Sequence, residues 1–114
     1  MTFRLPENLS SSDGATVEPL AVGLHAVDVA GVRSGEDVLI VGAGPVGLAC
    51  AIWAKILGAR EVVVSDYAAH RRDMALAYGA TAAIDPAKDV EVVYKWIAEQ
   101  FRAWAAAAAR LPPN

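Results

Sequence analysis

The fold is decided by one stretch of the chain, Asp37-Val-Leu-Ile-Val-Gly-Ala-Gly-Pro-Val-Gly47. Its first five residues are almost wholly apolar, which is typical of a strand buried on both faces of a parallel sheet. A Gly-x-Gly-x-x-Gly pattern follows at once, and residues 45–57 have the character of a helix that ends at Gly58. The stretch therefore predicts a strand, a tight turn and a helix in direct succession.

The same alternation continues toward the C-terminus. Residues 61–65 predict a second buried strand, residues 68–78 predict a helix that ends at Gly79, and residues 81–84 predict a weaker third strand. Strands that alternate with helices through short connections form a parallel sheet with right-handed crossovers. The predicted fold class is therefore α/β, a partial Rossmann-like, doubly wound parallel sheet with flanking helices.

Three segments are expected: a leading segment at 1–18, a Rossmann-like half-domain at 19–87 and a divergent C-terminal segment at 88–114. A helix cap is predicted at Ser12 or Asp13. Glu18 precedes a proline and is biased away from helical geometry. The next helix is therefore expected to begin at Pro19 and to end at Gly31.

The C-terminal segment predicts a helix over about residues 88–110, because its apolar residues recur every three or four positions. Its apolar stripe holds Trp96 or Ile97, Phe101 and Trp104. This stripe is expected either to cover the sheet or to form an exposed patch that drives self-association.

Composition excludes several classes of protein. The 114 residues allow one domain or part of one, and the net charge of −3 argues against nucleic-acid binding, which needs a basic face. The longest uncharged run, residues 38–54, is short for a membrane span and interrupted by glycine and proline. The N-terminus has no apolar signal core, so a cytoplasmic location is expected. A lone cysteine, Cys50, excludes an internal disulfide and a multi-cysteine zinc site.

The glycine pattern is typical of a dinucleotide-binding turn. Gly42 permits the tight turn, Gly44 lets a pyrophosphate approach the backbone, and Gly47 lets the helix pack closely. Unpaired N–H groups at the helix start face the phosphates. Asp66 lies 19 residues past Gly47, where a carboxylate can accept hydrogen bonds from both adenosine ribose hydroxyls. The alternative is a tight strand–helix turn with a surface aspartate.

The same carboxylate predicts NAD in preference to NADP. Asp66 favours free ribose hydroxyls and repels a 2′-phosphate. Arg71 and Arg72 are the nearby cations. They either form the solvated face of a helix, or one of them reaches the adenosine ribose or a phosphate.

Other polar residues carry weaker signals. Glu18 can be a first-turn carboxylate that the helix dipole favours. Packing or solvent exposure, without a metal site, is the interpretation of His25, His70 and Cys50.

Three segments resemble the zinc-dependent medium-chain alcohol dehydrogenases, with the polyol dehydrogenases as the most similar branch: Glu18-Pro-Leu-Ala-Val-Gly-Leu-His-Ala26, Gly42-Ala-Gly-Pro-Val-Gly47, and Val64-Ser-Asp-Tyr67 with Arg71. The resemblance implies that Val46, Asp66 and Arg71 contact NAD, and that Glu18 matches a glutamate beside the catalytic zinc and its bound water or substrate. The full set of expected cofactor-binding residues is Gly42, Gly44, Pro45, Val46, Gly47, Asp66 and Arg71.

The chain also departs from that family. The family's zinc-binding domain precedes the point where this chain begins, and Cys50 lies within the helix after the glycine turn, so it cannot replace a zinc ligand. We therefore expect an NAD-binding fragment of an oxidoreductase that transfers hydride between a polyol or alcohol and NAD, inactive alone. Two alternatives are a stand-alone nucleotide-binding module without catalysis and a non-functional truncated remnant.

Overall fold

The computed structural model describes residue 2 and residues 4–110, apart from the side chains at positions 92, 93, 100, 101, 103–105, 107 and 108. Three strands form one parallel sheet in the order β1-β2-β3, so the predicted α/β, partial Rossmann-like fold is confirmed. In chain order the elements are α1 Ser11–Ala15, α2 Val17–Val29, β1 Asp37–Val41, α3 Pro45–Ile56, β2 Glu61–Ser65, α4 Ala69–Ala77, β3 Ala82–Ile84 and α5 Val90–Ala108.

The core lies between the sheet and the layer formed by α3 and α4. In the central strand β2, Val62 and Val64 are fully buried, and Ile40 of β1 joins them on the same face. Small side chains on the helices let the two layers approach closely; those buried within this core are Ala51, Ala54 and Ala75. The β1–β2 register pairs Asp37 with Glu61 and Val41 with Ser65, so the carboxyl ends of these strands lie side by side.

The predicted burial of β1 on both faces is wrong within the described part of the chain. Side chains alternate along a strand, so Leu39, Val41 and Val63 point away from the face that carries Ile40 and Val64. Val41 is 83% exposed, while Leu39 and Val63 are half-buried. The helices α3 and α4 pack on the core face, and in the described residues no helix covers the opposite face.

The helix cap of the leading segment lies at Ser10, and the expected cap at Ser12 or Asp13 is wrong. The Ser10 hydroxyl accepts a hydrogen bond from the Asp13 N–H at 3.2 Å, and the Asp13 carboxylate accepts one from the Ser10 N–H at 2.8 Å. This reciprocal pair is a capping box. Asp13 thus supports the cap from inside α1.

Helix α2 begins at Val17, two residues before the predicted start at Pro19. Glu18 is consequently helical despite preceding a proline. The physical reason is that the first N–H groups of any helix lack intrahelical partners, so Pro19 in the first turn removes no hydrogen bond. The expected end is confirmed, because Gly31 follows α2 with a φ of +70°.

The predicted C-terminal helix is confirmed by α5, which spans Val90–Ala108. Among the described residues it packs against no other helix or strand, so the expected cover for the sheet is not observed. Trp96 and Ile97 are half-buried, whereas the side chains of Phe101 and Trp104, and residues 111–114 of the predicted segment, lie outside the described part. No helix in the described chain has the length and apolar character that a bilayer crossing requires.

Candidate functional site

The turn between β1 and α3 has the geometry that its glycines predict. Gly42 has a φ of +98°, a conformation that favours glycine over residues with a Cβ. A Cβ at Gly47 would lie 2.0 Å from the Gly42 carbonyl oxygen, so α3 can approach the turn only with glycine there. At Gly44, by contrast, no atom of the described residues outside Gly44 and its two chain neighbours lies within 4 Å of the position a Cβ would take. The Gly44 backbone therefore borders open space.

The N-terminus of α3 faces the same open space. Gly44 is the N-cap and Pro45 is the first helical residue. The first intrahelical bond runs from the Leu48 N–H to the Gly44 carbonyl at 2.9 Å. The N–H groups of Val46 and Gly47 consequently have no partner inside the helix, and with the helix dipole they favour an anion. An open glycine backbone beside unpaired N–H groups fits the pyrophosphate of a dinucleotide.

Asp66 links the turns that follow β1 and β2. Its Oδ2 accepts a hydrogen bond from the Ala43 N–H at 2.9 Å, and its Oδ1 accepts one from the Ala68 N–H at 2.8 Å. These two bonds, the Ala43 bond first, hold the pKa of the Asp66 carboxyl below its ordinary value of 3.8, and the positive charge of Arg71 adds to the effect. Each oxygen keeps a further lone pair, so the carboxylate is ionised, oriented and able to accept from ribose hydroxyls.

A cleft of about 200 Å³ lies at the carboxyl ends of the strands. Ligands of open α/β sheets bind outside these ends. The residues that line the cleft are Val41, Gly42, Ser65, Asp66, Tyr67 and Pro86. The predicted turn residue Gly42 and the predicted acid Asp66 therefore share one cavity.

The two arginines after Asp66 have different surroundings. Arg71 is half-exposed, with its Nη1 3.8 Å from Asp66 Oδ2. Arg72 is mostly buried and donates hydrogen bonds to two backbone carbonyls. Two roles were expected for these arginines, a solvated surface position or contact with the cofactor. Of the two side chains, that of Arg71 is free to contact a ligand beside Asp66.

The other predicted site residues do not line this cleft. Glu18 is exposed in the first turn of α2, and His25 is exposed on the same helix. His70 is exposed on α4, and its charge adds to the lowering of the pKa of the Asp66 carboxyl. Burial raises the pKa of the Cys50 thiol, which lies 3.8 Å from the Gly23 carbonyl oxygen. Within the described residues no three His, Cys, Asp or Glu side chains cluster as metal ligands, so this donor set does not fit a catalytic zinc.

Sequence reasoning missed three sets of contacts at the site. They are the hydrogen bonds to Asp66 from the Ala43 N–H and from the Ala68 N–H, and the bonds that the Arg72 guanidinium donates to backbone carbonyls. The Ala68 bond had a local signal, because an aspartate often accepts from the N–H two residues later. The other two depend on which turns meet in space, and the sequence carried no signal for that.

Comparison with known proteins agrees with this geometry. The family model for zinc-binding dehydrogenases matches residues 45–107, which is more than half of the chain. D-xylulose reductase A of Aspergillus niger is 45% identical over 86 residues, which cover 75% of this chain and 24% of the relative. Sorbitol dehydrogenase of Bos taurus is 47% identical over 78 residues, covering 68% of this chain and 22% of the relative.

A solved structure has the same arrangement of strands and helices. It is a Sinorhizobium meliloti protein classed as a zinc-binding dehydrogenase, with NADP bound, and it superposes with a TM-score of 0.72 and 41% identity over 75% of this chain and 25% of that chain. The chain thus spans about a quarter of the length of the relatives it matches. A matching family model over more than half of the sequence, and the same fold, show that the chain belongs to the zinc-binding dehydrogenase family.

Proposed function

We propose that this chain is the NAD-binding part of a zinc-type oxidoreductase that transfers hydride between a polyol or alcohol and NAD. The observation that carries the proposal is the Asp66 carboxylate, bonded to the Ala43 N–H of the glycine turn at 2.9 Å. In this proposal, the bond brings the carboxylate that accepts from the adenosine ribose next to the turn that binds the pyrophosphate. A dinucleotide carries these two groups next to each other.

In this proposal, different residues of the chain bind different parts of the cofactor. The Gly44 backbone and the N–H groups of Val46 and Gly47 bind the pyrophosphate, while Asp66 binds the adenosine ribose. Pro45 presets the first turn of α3, and Gly42 and Gly47 keep the turn close to the strand. When bound, NAD supplies the hydride-accepting nicotinamide. The chain binds and orients the adenosine end of the cofactor.

The preference for NAD over NADP follows from charge. The lowered pKa of Asp66 keeps a negative charge where a 2′-phosphate would lie, and Arg72 is already bonded to backbone carbonyls. Of the two arginines, Arg71 is the one left to offset that charge, with its Nη1 3.8 Å from Asp66 Oδ2. The relative solved with NADP shows that the family fold also accepts the phosphorylated cofactor. The balance between Asp66 and Arg71 therefore decides this chain's preference.

The polyol or alcohol substrate is proposed from the relatives. Their names, D-xylulose reductase and sorbitol dehydrogenase, indicate small polyhydroxylated substrates. Glu18 is assigned to the substrate side on the family resemblance. Because the described residues hold no zinc ligand set, we propose that this chain alone binds the cofactor without turnover. The rival readings remain a stand-alone nucleotide-binding module and a non-functional remnant.

Calorimetric titration of the purified chain with NAD and NADP tests the proposal. We expect NAD to bind about tenfold more tightly, since one charged hydrogen bond is worth about 1.5–3 kcal/mol. Gly44→Asp is the matched control: it adds a negative charge to open space and should abolish binding without unfolding the chain. Tighter binding of NADP, or NAD affinity unchanged in Asp66→Ala, would contradict the assignment.

The same experiment separates the rivals. Failure to fold or to bind any nucleotide identifies the remnant. For the second rival, the zinc-binding part of the family is added as a separate polypeptide. A chain that binds the dinucleotide but shows no turnover in this mixture is a stand-alone module. Turnover in that mixture supports the oxidoreductase.

A further inference from the structure

The turn that carries Asp66 is held from its other side by Arg72. The Arg72 Nη1 donates hydrogen bonds to the carbonyl oxygens of Asp66, at 2.8 Å, and Tyr67, at 2.9 Å. The same nitrogen lies 3.4 Å from Asp85 Oδ2, on the segment that follows β3. We propose that Arg72 is a positioning residue for the Asp66 carboxylate and thereby sets the preference for a free ribose 2′-hydroxyl. The inference rests on the proposed NAD site.

The surroundings of Arg72 distinguish it from an ordinary surface arginine. Its side chain is 18% exposed and that of Asp85 is 13% exposed, whereas the Arg71 side chain is 53% exposed. A planar guanidinium donates in a fixed fork, so it holds its acceptors at defined angles. Arg72 is therefore committed to the backbone and Asp85, and it is not available to neutralise a 2′-phosphate.

Asp66 is consequently fixed at both its backbone and its side chain. Arg72 holds its carbonyl, and the Asp66 N–H donates to the Ile84 carbonyl at 3.2 Å. The carboxylate is held by the N–H groups of Ala43 and Ala68. Binding groups need to lie within about 0.5 Å of their productive positions. Loss of Arg72 frees the backbone carbonyls of Asp66 and Tyr67 and the Asp85 carboxylate, so the turn relaxes and the Asp66 carboxylate loses its alignment with the ribose.

The chain offers a matched control for the charge pair. At the opposite ends of the strands, Arg60 Nε donates to Asp37 Oδ1 at 2.8 Å, and this pair joins the starts of β1 and β2. It has the same residue types and also links neighbouring elements, but it lies away from the glycine turn. Arg60→Met therefore measures what loss of a merely structural arginine does.

The test compares NAD with an NAD analogue that lacks the 2′-hydroxyl of the adenosine ribose. In the intact chain we expect roughly a tenfold preference for NAD. Arg72→Met should reduce that preference to less than about threefold, and Arg72→Lys, which keeps a donor, should give an intermediate value. Arg60→Met should leave the preference unchanged. An equal loss of affinity for both ligands in Arg72→Met, or no loss, overturns the proposal.

A second measurement needs no nucleotide and so separates this inference from the proposed function. The amide resonances of Ala43 and Ala68 should shift in ligand-free Arg72→Met and Arg72→Lys, and remain in place in Arg60→Met. Unshifted resonances in both Arg72 variants overturn the positioning role even if NAD binds. Shifted resonances in a chain that binds no NAD support the positioning of Asp66 while rejecting the cofactor assignment.

Discussion

Gly44 and Gly47 are three residues apart, yet the structure constrains them in opposite ways. A Cβ at Gly47 would lie 2.0 Å from a backbone oxygen, which cannot move without opening the turn, whereas Gly44 has open space and an unstrained φ of −74°. The second glycine is needed for packing, whereas for the first we propose a role in binding the ligand. This difference separates binding from stability within one turn.

Gly47→Ala should therefore lower the free energy of unfolding by about 1–3 kcal/mol, the range typical of overpacking. Gly44→Ala should leave it nearly unchanged and weaken NAD binding instead, because the added methyl group occupies the approach to the backbone. Urea denaturation measures the first effect and calorimetry the second. Equal stability losses in the two variants would show that the turn does not discriminate between these positions.

The lowered pKa of Asp66 makes its contribution to stability depend on pH. A carboxyl whose pKa is depressed in the folded chain stabilises fully above its ordinary value of 3.8, and this contribution is lost as the pH falls through the folded-state pKa. We expect Asp66→Asn to melt at a lower temperature than the parent chain at neutral pH. The gap should stay constant from about pH 7 to about pH 5 and close only as the pH falls below the ordinary value of 3.8.

Thermal melts of both proteins across that range check the Asp66 prediction. Asp13→Asn serves as the control, because hydrogen bonds with Ser10 lower the pKa of Asp13 as well. Asp13 lies far from the glycine turn in the sequence. It should show a similar closing gap with no change in NAD affinity. A melting difference for Asp66→Asn that is constant with pH would contradict the assigned charge state.

At the scale of elements, repeating patterns could be predicted from the sequence and reciprocal contacts could not. The strands β1 and β2 have the bounds predicted from the sequence, and Gly58 and Gly79 follow their helices with φ of +86° and +117°. These signals are local. The start of α1 depends on which of several neighbouring polar residues form a reciprocal pair of hydrogen bonds. The Asp13 carboxylate accepts from the Ser10 N–H, and this bond makes Ser10 the N-cap.

The site shows the same division. Gly42, Gly44, Gly47 and Asp66 could be predicted because each has a steric or chemical reason at a fixed spacing. The contacts of Arg72 could not, since its partners lie on the turn after β2 and on the segment after β3. These two places meet only once the parallel sheet has formed.

Helix α5 is expected to have no effect on the glycine turn between β1 and α3. It packs against no other described helix or strand, so it contributes little to the core between the sheet and α3. A chain that ends at Asp89 should keep its NAD affinity within about twofold, since distant, independent sites behave additively. It should also self-associate less, because the apolar stripe predicted from the sequence is gone. Sedimentation velocity measures the association, and an unchanged mass distribution would remove α5 from that role.

The whole molecule exposes more surface than its mass requires. Its accessible surface is 8234 Å², against about 5,900 Å² for a compact monomer of 11.9 kDa. Its radius of gyration is 16.6 Å, against about 13 Å for a compact domain of this length. The uncovered sheet face and the separate α5 are where the excess is visible. The chain therefore buries one core and leaves other apolar surface exposed among the described residues.

At this scale we predict cofactor binding without turnover. The described residues hold no zinc ligand cluster, and hydride transfer needs the substrate carbon and the nicotinamide in one enclosed geometry. Metal analysis after demetallation and reloading with zinc should find no stoichiometric metal. NADH should not accumulate with sorbitol, xylitol or a simple alcohol above the Gly44→Asp background. Accumulation of NADH would mean that a partner chain supplies the missing groups.

In the described sheet β1 is an edge strand, with β2 on one side of it. The rates of amide hydrogen exchange along β1 should therefore alternate between N–H groups that face β2 and those that face away from it. The Gly42 N–H donates to the Ser65 carbonyl at 2.7 Å, and N–H directions alternate along a strand, so Val38 and Ile40 also face β2. Leu39 and Val41 direct their N–H groups away from β2, where the described chain places no strand. Deuterium should enter Leu39 and Val41 well before Ile40 and Gly42. An uninterrupted block of slow amides across β1 would instead reveal that a second strand, from another molecule, already occupies that edge.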